Sequence, residues 1–500
     1  MTCVIAIDAG TTGVRSFAVG ADGRPLPHAY REFPQHFPRP GRVEHDADDI
    51  WRVTVETLSE VVAALDARGE SVAAIGITNQ RETVVTWDRT TGRPAARAIV
   101  WQDRRTADRC DALRAEGLEP MIRQTTGLVL DPYFSATKLE WLLTEGGVAA
   151  SPDLAFGTVD AWILWNLTGG PDGGMHATDP SNASRTMLYD IGSGEWSPEL
   201  VDRFGVPASC LPAVLPSSGR FGITDPARAA GLRVPVSGIA GDQQAALFGQ
   251  ACVDPGMTKN TYGTGSFVLT NVGSTRPEPV DGLLTTVAWS LAPGEVTYAM
   301  EGAIFVTGAA IQWLRDGLGI IGDAAETESL AASVPETGGV FLVPAFTGLG
   351  SPWWDPYARG TITGITRGTT RAHIARAAVE AMAFQTADVV DAITAASGTT
   401  PTEMRVDGGA SVMDLLCGFQ ADLLGIPVRR AAVAETTALG AAFLAGLAEG
   451  VWESPAAVNA TWSADASFAP SGGAEIPARR AAWHRAVERS RDWAREEAST

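Results

Sequence analysis

Residues 5–19 read IAIDAGTTGVRSFAV, and this stretch decides how the chain folds. Two apolar, strand-like runs flank a turn of glycines and threonines. In such a hairpin, backbone N–H groups and threonine hydroxyls can come close to phosphate oxygens, because glycine carries no side chain. Asp8 precedes the turn, and its carboxylate can lie near phosphate only with a cation between them, which indicates Mg²⁺. The stretch therefore predicts a hairpin that binds phosphate together with a metal ion.

A related stretch occurs in the middle of the chain, where residues 262–269 read YGTGSFVL. Two phosphate-binding turns in one chain indicate two similar halves that face one nucleotide. For either turn taken alone, an ordinary hairpin without a ligand is the alternative, which the second copy weakens.

Length and composition set bounds on the fold and on the partners. The chain has 500 residues, more than the roughly 250–300 at which a single core stops growing. We therefore predict two domains, residues 1–253 and 254–500. Hydrophobic residues make up 45% and charged residues 19%, which is typical of a globular protein. The formal net charge of −20 argues against a nucleic-acid or anionic-membrane partner, since both require a basic face.

The rare residue types exclude several kinds of site. Five scattered cysteines and six unclustered histidines predict a reduced, cytoplasmic protein without a zinc site. The only lysines are Lys138 and Lys259, so no Gly-Lys-Ser/Thr sequence and hence no P-loop exists. We expect no secretory leader, because Asp8 interrupts the first apolar run. We expect no membrane span either, because no apolar run reaches roughly 18 residues.

Short β-rich runs alternate with helical patterns along the chain, which is typical of an α/β fold. Strands are predicted at residues 73–78, 98–101, 156–159 and 234–242. Helices are predicted at residues 49–65, 160–167, 243–250, 370–395 and 415–424, and another after residue 437. The pattern predicts an irregular surface stretch at residues 212–235 and a charged surface helix beyond about residue 455.

The first candidate for catalysis is Asp242, which ends an apolar strand and begins a helix. Ligands of open α/β sheets bind at the carboxyl ends of the strands. A carboxylate there can accept the proton of a substrate hydroxyl while that oxygen attacks phosphorus. The alternative is a helix N-cap, although a cap does not need the second donor and acceptor that Gln243 supplies.

A second group of polar residues reads TNQRET over residues 78–83, directly after a predicted strand. A neutral polyol needs both donors and acceptors, and Arg81 supplies donors while Glu82 supplies acceptors. Trp101 and Tyr133 lie beside polar runs, where an aromatic ring can pack against the C–H side of a polyol. The alternatives are a polar loop with an internal salt bridge, and plain core packing of the two rings.

A third group is the sequence Asp-Gly-Gly-Ala at residues 407–410, between a predicted strand and a predicted helix. A glycine pair there brings backbone close to a ligand and would suit adenosine. A simple tight turn is the alternative.

In this order and spacing, these groups resemble the FGGY family of carbohydrate kinases, and within it the members that phosphorylate glycerol. The resemblance covers about residues 4–450. It is carried by GITNQRET at 76–83, DPYFS at 131–135, NASRTM at 182–187 and GDQQAALFG at 241–249, with family-like signatures at 133–145 and 360–380.

The resemblance implies an α/β, actin-like fold of two similar domains, each with a ribonuclease-H-like sheet, and an active-site cleft between them. It implies ATP-dependent phosphorylation of glycerol to sn-glycerol 3-phosphate, with Asp242 as the general base. The implied glycerol-binding residues are Arg81, Glu82, Trp101, Tyr133, Asp242, Gln243 and Phe267. The implied nucleotide-binding residues are Thr11, Thr12, Gly13, Arg15, Thr264, Gly308, Gln312, Gly409 and Met413. Asp8 and Asp242 would hold Mg²⁺, and we also expect a homodimer or homotetramer.

Some positions depart from the family pattern. Ala9 stands where glutamine is common, and Gly13 and Val14 replace a pair of serines. Met413 stands where an asparagine usually contacts adenine, which leaves recognition of the nucleotide base open.

Three other functions compete with this interpretation. A nucleotide-driven machine of the actin or chaperone type would share the two hairpins but would not need Arg81 and Glu82 beside Trp101. A sugar-responsive repressor is disfavoured because no basic helix-turn-helix precedes the first strand. Among kinases, one acting on a pentulose or on gluconate is the nearest rival.

Overall fold

Two mixed β-sheets carry the fold, and the computed structural model describes residues 2–495. The strands of the first half are β1 (Thr2–Ala9), β2 (Gly13–Gly20), β3 (Pro25–Glu32), β4 (Gln35–His36), β5 (Glu44–His45), β6 (Ser71–Asn79), β7 (Val85–Asp88), β8 (Ala98–Ile99), β9 (Leu154–Gly157), β10 (Ala177–Thr178), β11 (Tyr189–Asp190), β12 (Glu195–Trp196), β13 (Ala213–Val214), β14 (Ser218–Ile223) and β15 (Pro235–Gly241). Those of the second half are β16 (Met257–Tyr262), β17 (Ser266–Gly273), β18 (Leu284–Ala292), β19 (Glu295–Ile304), β20 (Phe341–Val343), β21 (Thr361–Thr363), β22 (Glu403–Asp407), β23 (Val428–Ala431) and β24 (Ala464–Phe468).

Helices pack on both sheets. The first half contains α1 (Ala47–Asp66), α2 (Ala107–Ala115), α3 (Glu119–Thr126), α4 (Ser135–Thr144), α5 (Val159–Leu167), α6 (Pro180–Ala183), α7 (Pro198–Arg203) and α8 (Asp242–Gly249). The second half contains α9 (Gly308–Gln312), α10 (Glu326–Ala332), α11 (Arg371–Ser397), α12 (Asp414–Leu424), α13 (Thr436–Ala448), α14 (Pro455–Thr461) and α15 (Ile476–Ser490). Within residues 2–495, no helix combines the length and the apolar character needed to cross a membrane.

The two large sheets share one topology. The first sheet has the order β14-β15-β6-β1-β2-β3, and the second has β18-β19-β17-β16-β22-β23-β24. In each sheet a central strand, β1 or β16, has an antiparallel hairpin partner on one side and two successive parallel strands on the other. Strand β18 is the one addition in the second sheet. This repetition confirms the predicted α/β, actin-like fold of two similar halves, while the boundary at residues 253 and 254 stays a prediction.

The central strands form because both of their faces are covered. Residues 3–7 of β1 are fully buried and entirely apolar, as expected for a strand with helices on both sides. Helix α1 begins where the Asp46 side chain accepts a hydrogen bond from the Asp48 backbone N–H, and the acidic first turn complements the helix dipole. The predicted helix at 49–65 is thereby confirmed, with two further residues at its start.

One hydrophobic cluster contains residues from both halves and joins them. It includes Val4 and Phe248 from the first half, and Leu269 and Phe443 from the second. Helices α8 and α13 cross within it at two glycines. A Cβ atom on Gly440 would lie 1.8 Å from the Ala245 carbonyl oxygen, and one on Gly249 would lie 1.9 Å from that of Thr436. Only glycine allows this close backbone approach, so the crossing fixes how the two halves meet.

Two sequence-based expectations are wrong. Residues 212–235 are not simply irregular surface, because they contain β14, which forms an edge of the first sheet and buries Phe221. The tail is not simply a surface helix, because β24 pairs with β23 and α15 buries Trp483 against Phe384. The buried residues of α15 are Trp483, Ala486, Val487 and Ser490. Their i, i+3, i+4, i+7 spacing is the signal of an amphipathic helix, which the charged composition concealed.

We expect Gly440→Ala to destabilise the protein, because the new methyl group has no room between α8 and α13. Overpacking of this kind costs about 1–3 kcal/mol. Gly418→Ala is the matched control, since a Cβ on Gly418 of α12 would lie 4.0 Å from its nearest neighbour, Cδ1 of Phe468. Thermal unfolding should show a lower midpoint for Gly440→Ala and an equal or higher one for Gly418→Ala, because alanine favours helix. Equal midpoints for both variants would contradict the packing argument.

Candidate active site

Both predicted hairpins are present, as β1–β2 and β16–β17. The first turn, at residues 10–12, leaves Thr12 exposed and Thr11 half-buried. The second turn, at residues 263–265, exposes Thr264, and the backbone N–H of Gly308 donates to the Gly263 carbonyl at 3.0 Å. The structure therefore brings Gly308 to the second turn, as the resemblance implies.

Two glutamine side chains hydrogen-bond to the backbone of the first turn. Gln35 Nε2 donates to the Thr11 carbonyl at 2.9 Å, and Gln80 Nε2 donates to the Gly10 carbonyl at 3.1 Å. His45 lies between these two amides, 2.6 Å from Gln35 Oε1 and 3.3 Å from Gln80 Nε2. Burial lowers the pKa of His45 to about 4, so this imidazole is neutral near pH 7. These hydrogen bonds were not predicted, because Gln35 and His45 belong to no motif.

Trp101 connects the turn to the predicted polyol site. Its indole Nε1 donates to Thr11 Oγ1 at 2.9 Å, which leaves the threonine hydroxyl hydrogen free to point elsewhere. The Trp101 ring also packs edge to face on Tyr133, with centroids 5.5 Å apart. The two aromatic residues therefore pack against each other, and their contact with a polyol stays a prediction. Phe267 lies half-buried on β17 against the cluster that joins the halves.

Asp8 and Asp242 are the two predicted metal-binding carboxylates. Burial raises the pKa of Asp8 to about 7, and the nearby carboxylates of Asp242 and Glu435 add to this rise while Arg15 opposes it. A divalent cation would relieve this repulsion, and Mg²⁺ commonly uses one or two carboxylates together with water and substrate phosphates. In residues 2–495, no group of three or more His, Cys, Asp or Glu side chains could hold a metal by itself. The donor set thus fits a metal that arrives with a phosphate.

Asp242 lies directly after β15, as the first residue of α8. Gly241 occupies the cap position, so the cap alternative for Asp242 is wrong. About a third of the side chain is exposed, at 33%, and Oδ1 lies 3.0 Å from Arg81 Nε. Burial raises the pKa of Asp242 above its usual value, and Arg81 acts against that rise. A carboxylate that is both accessible and raised in pKa is suited to accept a proton.

Arg81 and Glu82 are buried beneath Asp242 and do not form a simple internal pair. Arg81 Nη1 lies 2.6 Å from Glu301 Oε2, whereas Glu82 Oε1 accepts from Arg185 Nε at 2.6 Å. Glu82 also has a left-handed backbone with φ of 62°. Such strain in a residue other than glycine tends to occur at functional sites. The local salt bridge of the loop alternative is present, because Arg81 Nε lies 3.7 Å from Glu82 Oε1, but each side chain also pairs with a residue outside the loop.

Residues 3–249 match the N-terminal domain of the FGGY family of carbohydrate kinases, and residues 258–449 match its C-terminal domain. The chain belongs to the FGGY family of carbohydrate kinases. This membership argues against both the nucleotide-driven machine and the repressor.

Relatives of this FGGY kinase are similar over their full length. A glycerol kinase of Trichlorobacter lovleyi is 56% identical over 500 residues, which covers 99% of this chain and 100% of that protein. A glycerol kinase of Carboxydothermus hydrogenoformans is 52% identical, with 99% of each chain covered. The crystal structure of Plasmodium falciparum glycerol kinase with ADP has a TM-score of 0.93 and 33% identity, with 98% of each chain covered. A gluconate kinase of Lactobacillus acidophilus, at 19% identity and a TM-score of 0.86 over 98% of this chain and 96% of its own, shares the fold.

Three charged residues of this FGGY kinase site were missed by the sequence analysis: Arg185, Lys259 and Glu301. Lys259 Nζ donates to Gln243 Oε1 at 2.5 Å and to Thr261 Oγ1 at 2.8 Å. Burial lowers the pKa of Lys259 to about 8, although the carboxylates of Asp407, Asp242 and Glu301 oppose this. Arg185 lies within a quoted family string, and Glu301 stands alone in an otherwise apolar strand segment. A lone acidic residue in such a strand is the signal that could have found Glu301.

The remaining residues predicted for the nucleotide site are Arg15, Gln312, Gly409 and Met413. Arg15 forms an ion pair of 3.3 Å with Glu435, the residue that precedes α13. Gln312 and Gly409 are exposed, at the end of α9 and at the turn after β22. Met413 is buried against the core of the second half. The adenosine role of these residues stays a prediction.

Proposed function

We propose that this chain transfers the γ-phosphoryl group of ATP to glycerol, which yields sn-glycerol 3-phosphate and ADP. The observation that carries the proposal is the identity of 52–56% over essentially the whole chain to relatives named glycerol kinase. The cluster of Arg81, Glu82 and Asp242 at the cleft supplies the chemistry that such a reaction needs.

Glycerol binding is assigned to side chains that both donate and accept. Each hydroxyl of glycerol can do both, so Arg81, Glu82, Tyr133 and Gln243 can satisfy all three. Trp101 and Phe267 flank the carbon skeleton. Burial of these polar groups gives selectivity, because an analogue that lacks a hydroxyl would leave one of them unpaired.

Asp242 acts as the general base in this proposal. The primary hydroxyl oxygen of glycerol attacks the γ-phosphorus, its proton passes to the Asp242 carboxylate, and the bond from phosphorus to the bridging oxygen of ADP breaks. The position of Asp242 at the carboxyl end of β15 and its partial exposure support this role.

The phosphate groups are assigned to the two hairpin turns. The first turn contributes Thr11, Thr12, Gly13 and Arg15, and the rest of the nucleotide site consists of Thr264, Gly308, Gln312, Gly409 and Met413. Asp8 and Asp242 would hold Mg²⁺ through water, and the bound ion would offset charge on the phosphates. Gly13 has no room for a side chain, since a Cβ there would lie 2.4 Å from the Arg31 carbonyl oxygen. The glycine therefore lets β2 lie close to β3 directly after the turn.

The cellular location and the assembly are proposals as well. All five cysteines are free and buried, which supports a reducing compartment such as the cytoplasm. A homodimer or homotetramer stays our prediction for the assembly, and light scattering would measure it.

We expect glycerol to be the preferred substrate in a coupled assay of ADP release. The assay compares glycerol, dihydroxyacetone, xylulose and gluconate at equal ATP and Mg²⁺. The highest kcat/KM should be found with glycerol, because the buried donors and acceptors match three adjacent hydroxyls. A higher kcat/KM with xylulose or gluconate would replace this proposal with the pentulose or gluconate alternative.

We expect Asp242→Asn to lower kcat for glycerol by at least ~10²-fold, because an amide cannot accept the proton. The matched control is Asp254→Asn, which makes the same change at an exposed carboxylate between the two halves. Steady-state kinetics should show a normal kcat for Asp254→Asn. A near-normal kcat for Asp242→Asn would refute the general-base role.

A further inference from the structure

Glu301 is a buried carboxylate, and burial of a charged group is unfavourable. It lies in β19, opposite Leu269 of β17 and Leu284 of β18, and only 1% of its side chain is exposed. A buried carboxylate is tolerated only when it is paired and hydrogen-bonded. The residues that pair with Glu301 therefore indicate its role.

Both partners of Glu301 are arginines of the first half. Its Oε2 lies 2.6 Å from Arg81 Nη1, and its Oε1 lies 3.2 Å from both Arg81 Nη2 and Arg185 Nη2. Burial alone would raise the pKa of Glu301, but Arg185 and Arg81 outweigh it and hold the pKa at about 2. One ionised carboxylate thus orients two guanidinium groups at the floor of the cleft.

These side chains belong to a larger set that we call the ionic cluster. Its members are Arg81, Arg185, Lys259, Glu82, Asp242 and Glu301. Three of them are cationic and three anionic, so the cluster is neutral. Loss of one anion would leave an excess positive charge in a buried place, and that excess acts most strongly on the remaining carboxylates.

Arg81 connects Glu301 to Asp242. It contacts Asp242 through Nε and Glu301 through both terminal nitrogens. Glu301 therefore holds the Arg81 guanidinium in place beside Asp242. Without Glu301, Arg81 would lose the charged partner of both terminal nitrogens.

We propose that Glu301 is a positioning residue for glycerol phosphorylation, which fixes Arg81 and Arg185 from the opposite half of the chain. The inference rests on the proposed function. Glu301 would not touch the substrate, and it would act through the two arginines.

The test compares Glu301→Gln with Glu295→Gln in the full-length chain. Glu295 begins the same strand and is exposed, so it is a matched control for the same chemical change. For Glu301→Gln we expect kcat with glycerol to fall at least ~10-fold, since misplaced binding groups can cost that much. KM for glycerol should rise at least ~10-fold, whereas KM for ATP should stay within about twofold of wild type, because the inference assigns Glu301 to the acceptor side. Glu295→Gln should match the wild type throughout.

Two outcomes would overturn the inference. An unchanged kcat would show that Glu301 is not needed. A KM for glycerol that rises no more than KM for ATP would show a merely structural role. If Glu301→Gln does not fold, Glu301→Asp keeps the charge but shortens the reach. It should raise KM for glycerol and leave KM for ATP within about twofold of wild type, and an unchanged KM for glycerol would contradict the inference.

Failure of the proposed function can be distinguished from failure of the positioning role. The proposed function fails if the wild type does not phosphorylate glycerol. The same comparison of Glu301→Gln with Glu295→Gln would then use whichever polyol the wild type does phosphorylate. A KM for that polyol that rises while KM for ATP does not supports the positioning role, and equal changes in the two KM values overturn it.

Discussion

The charge balance of the ionic cluster constrains the rest of the structure. Three cations and three anions lie together at the junction of the halves, largely out of contact with water. Such an arrangement is tolerated only when every charge has a partner, because a single unpaired charge there would cost several kcal/mol. Four members come from the first half, and Lys259 and Glu301 come from the second. The site is therefore complete only when the two halves meet in one particular way.

The fold determines how the two halves meet. Each half repeats one sheet topology, so each presents a glycine-rich hairpin turn and the carboxyl ends of its parallel strands. Helices α8 and α13 cross at Gly249 and Gly440, where no larger residue fits, and a shared hydrophobic cluster lies beneath them. This packing places Asp242, at the start of α8, beside Arg81. The chemistry of the cleft thus depends on how closely two helices approach each other.

Local sequence patterns predicted the parts of the site that follow strands. The two hairpins, the strand that ends before Asp242 and the polar run around Arg81 were all predicted, because an apolar run followed by small or polar residues is a local signal. Glu301 was not predicted, since its partner Arg81 is 220 residues away and the one local sign is a lone acidic residue in an otherwise apolar strand segment. The burial of Trp483 was missed for a related reason, because a charged helix conceals a narrow apolar stripe.

The central claim is that Asp242 removes the proton from the primary hydroxyl of glycerol. The most direct measurement is a crystal structure of the chain with glycerol, Mg²⁺ and a non-hydrolysable ATP analogue. We predict a carboxylate oxygen of Asp242 about 2.6–3.2 Å from that hydroxyl oxygen, with the oxygen in line with the γ-phosphorus. A hydroxyl beyond hydrogen-bond reach of Asp242, or a carboxylate turned away from it, would contradict the account.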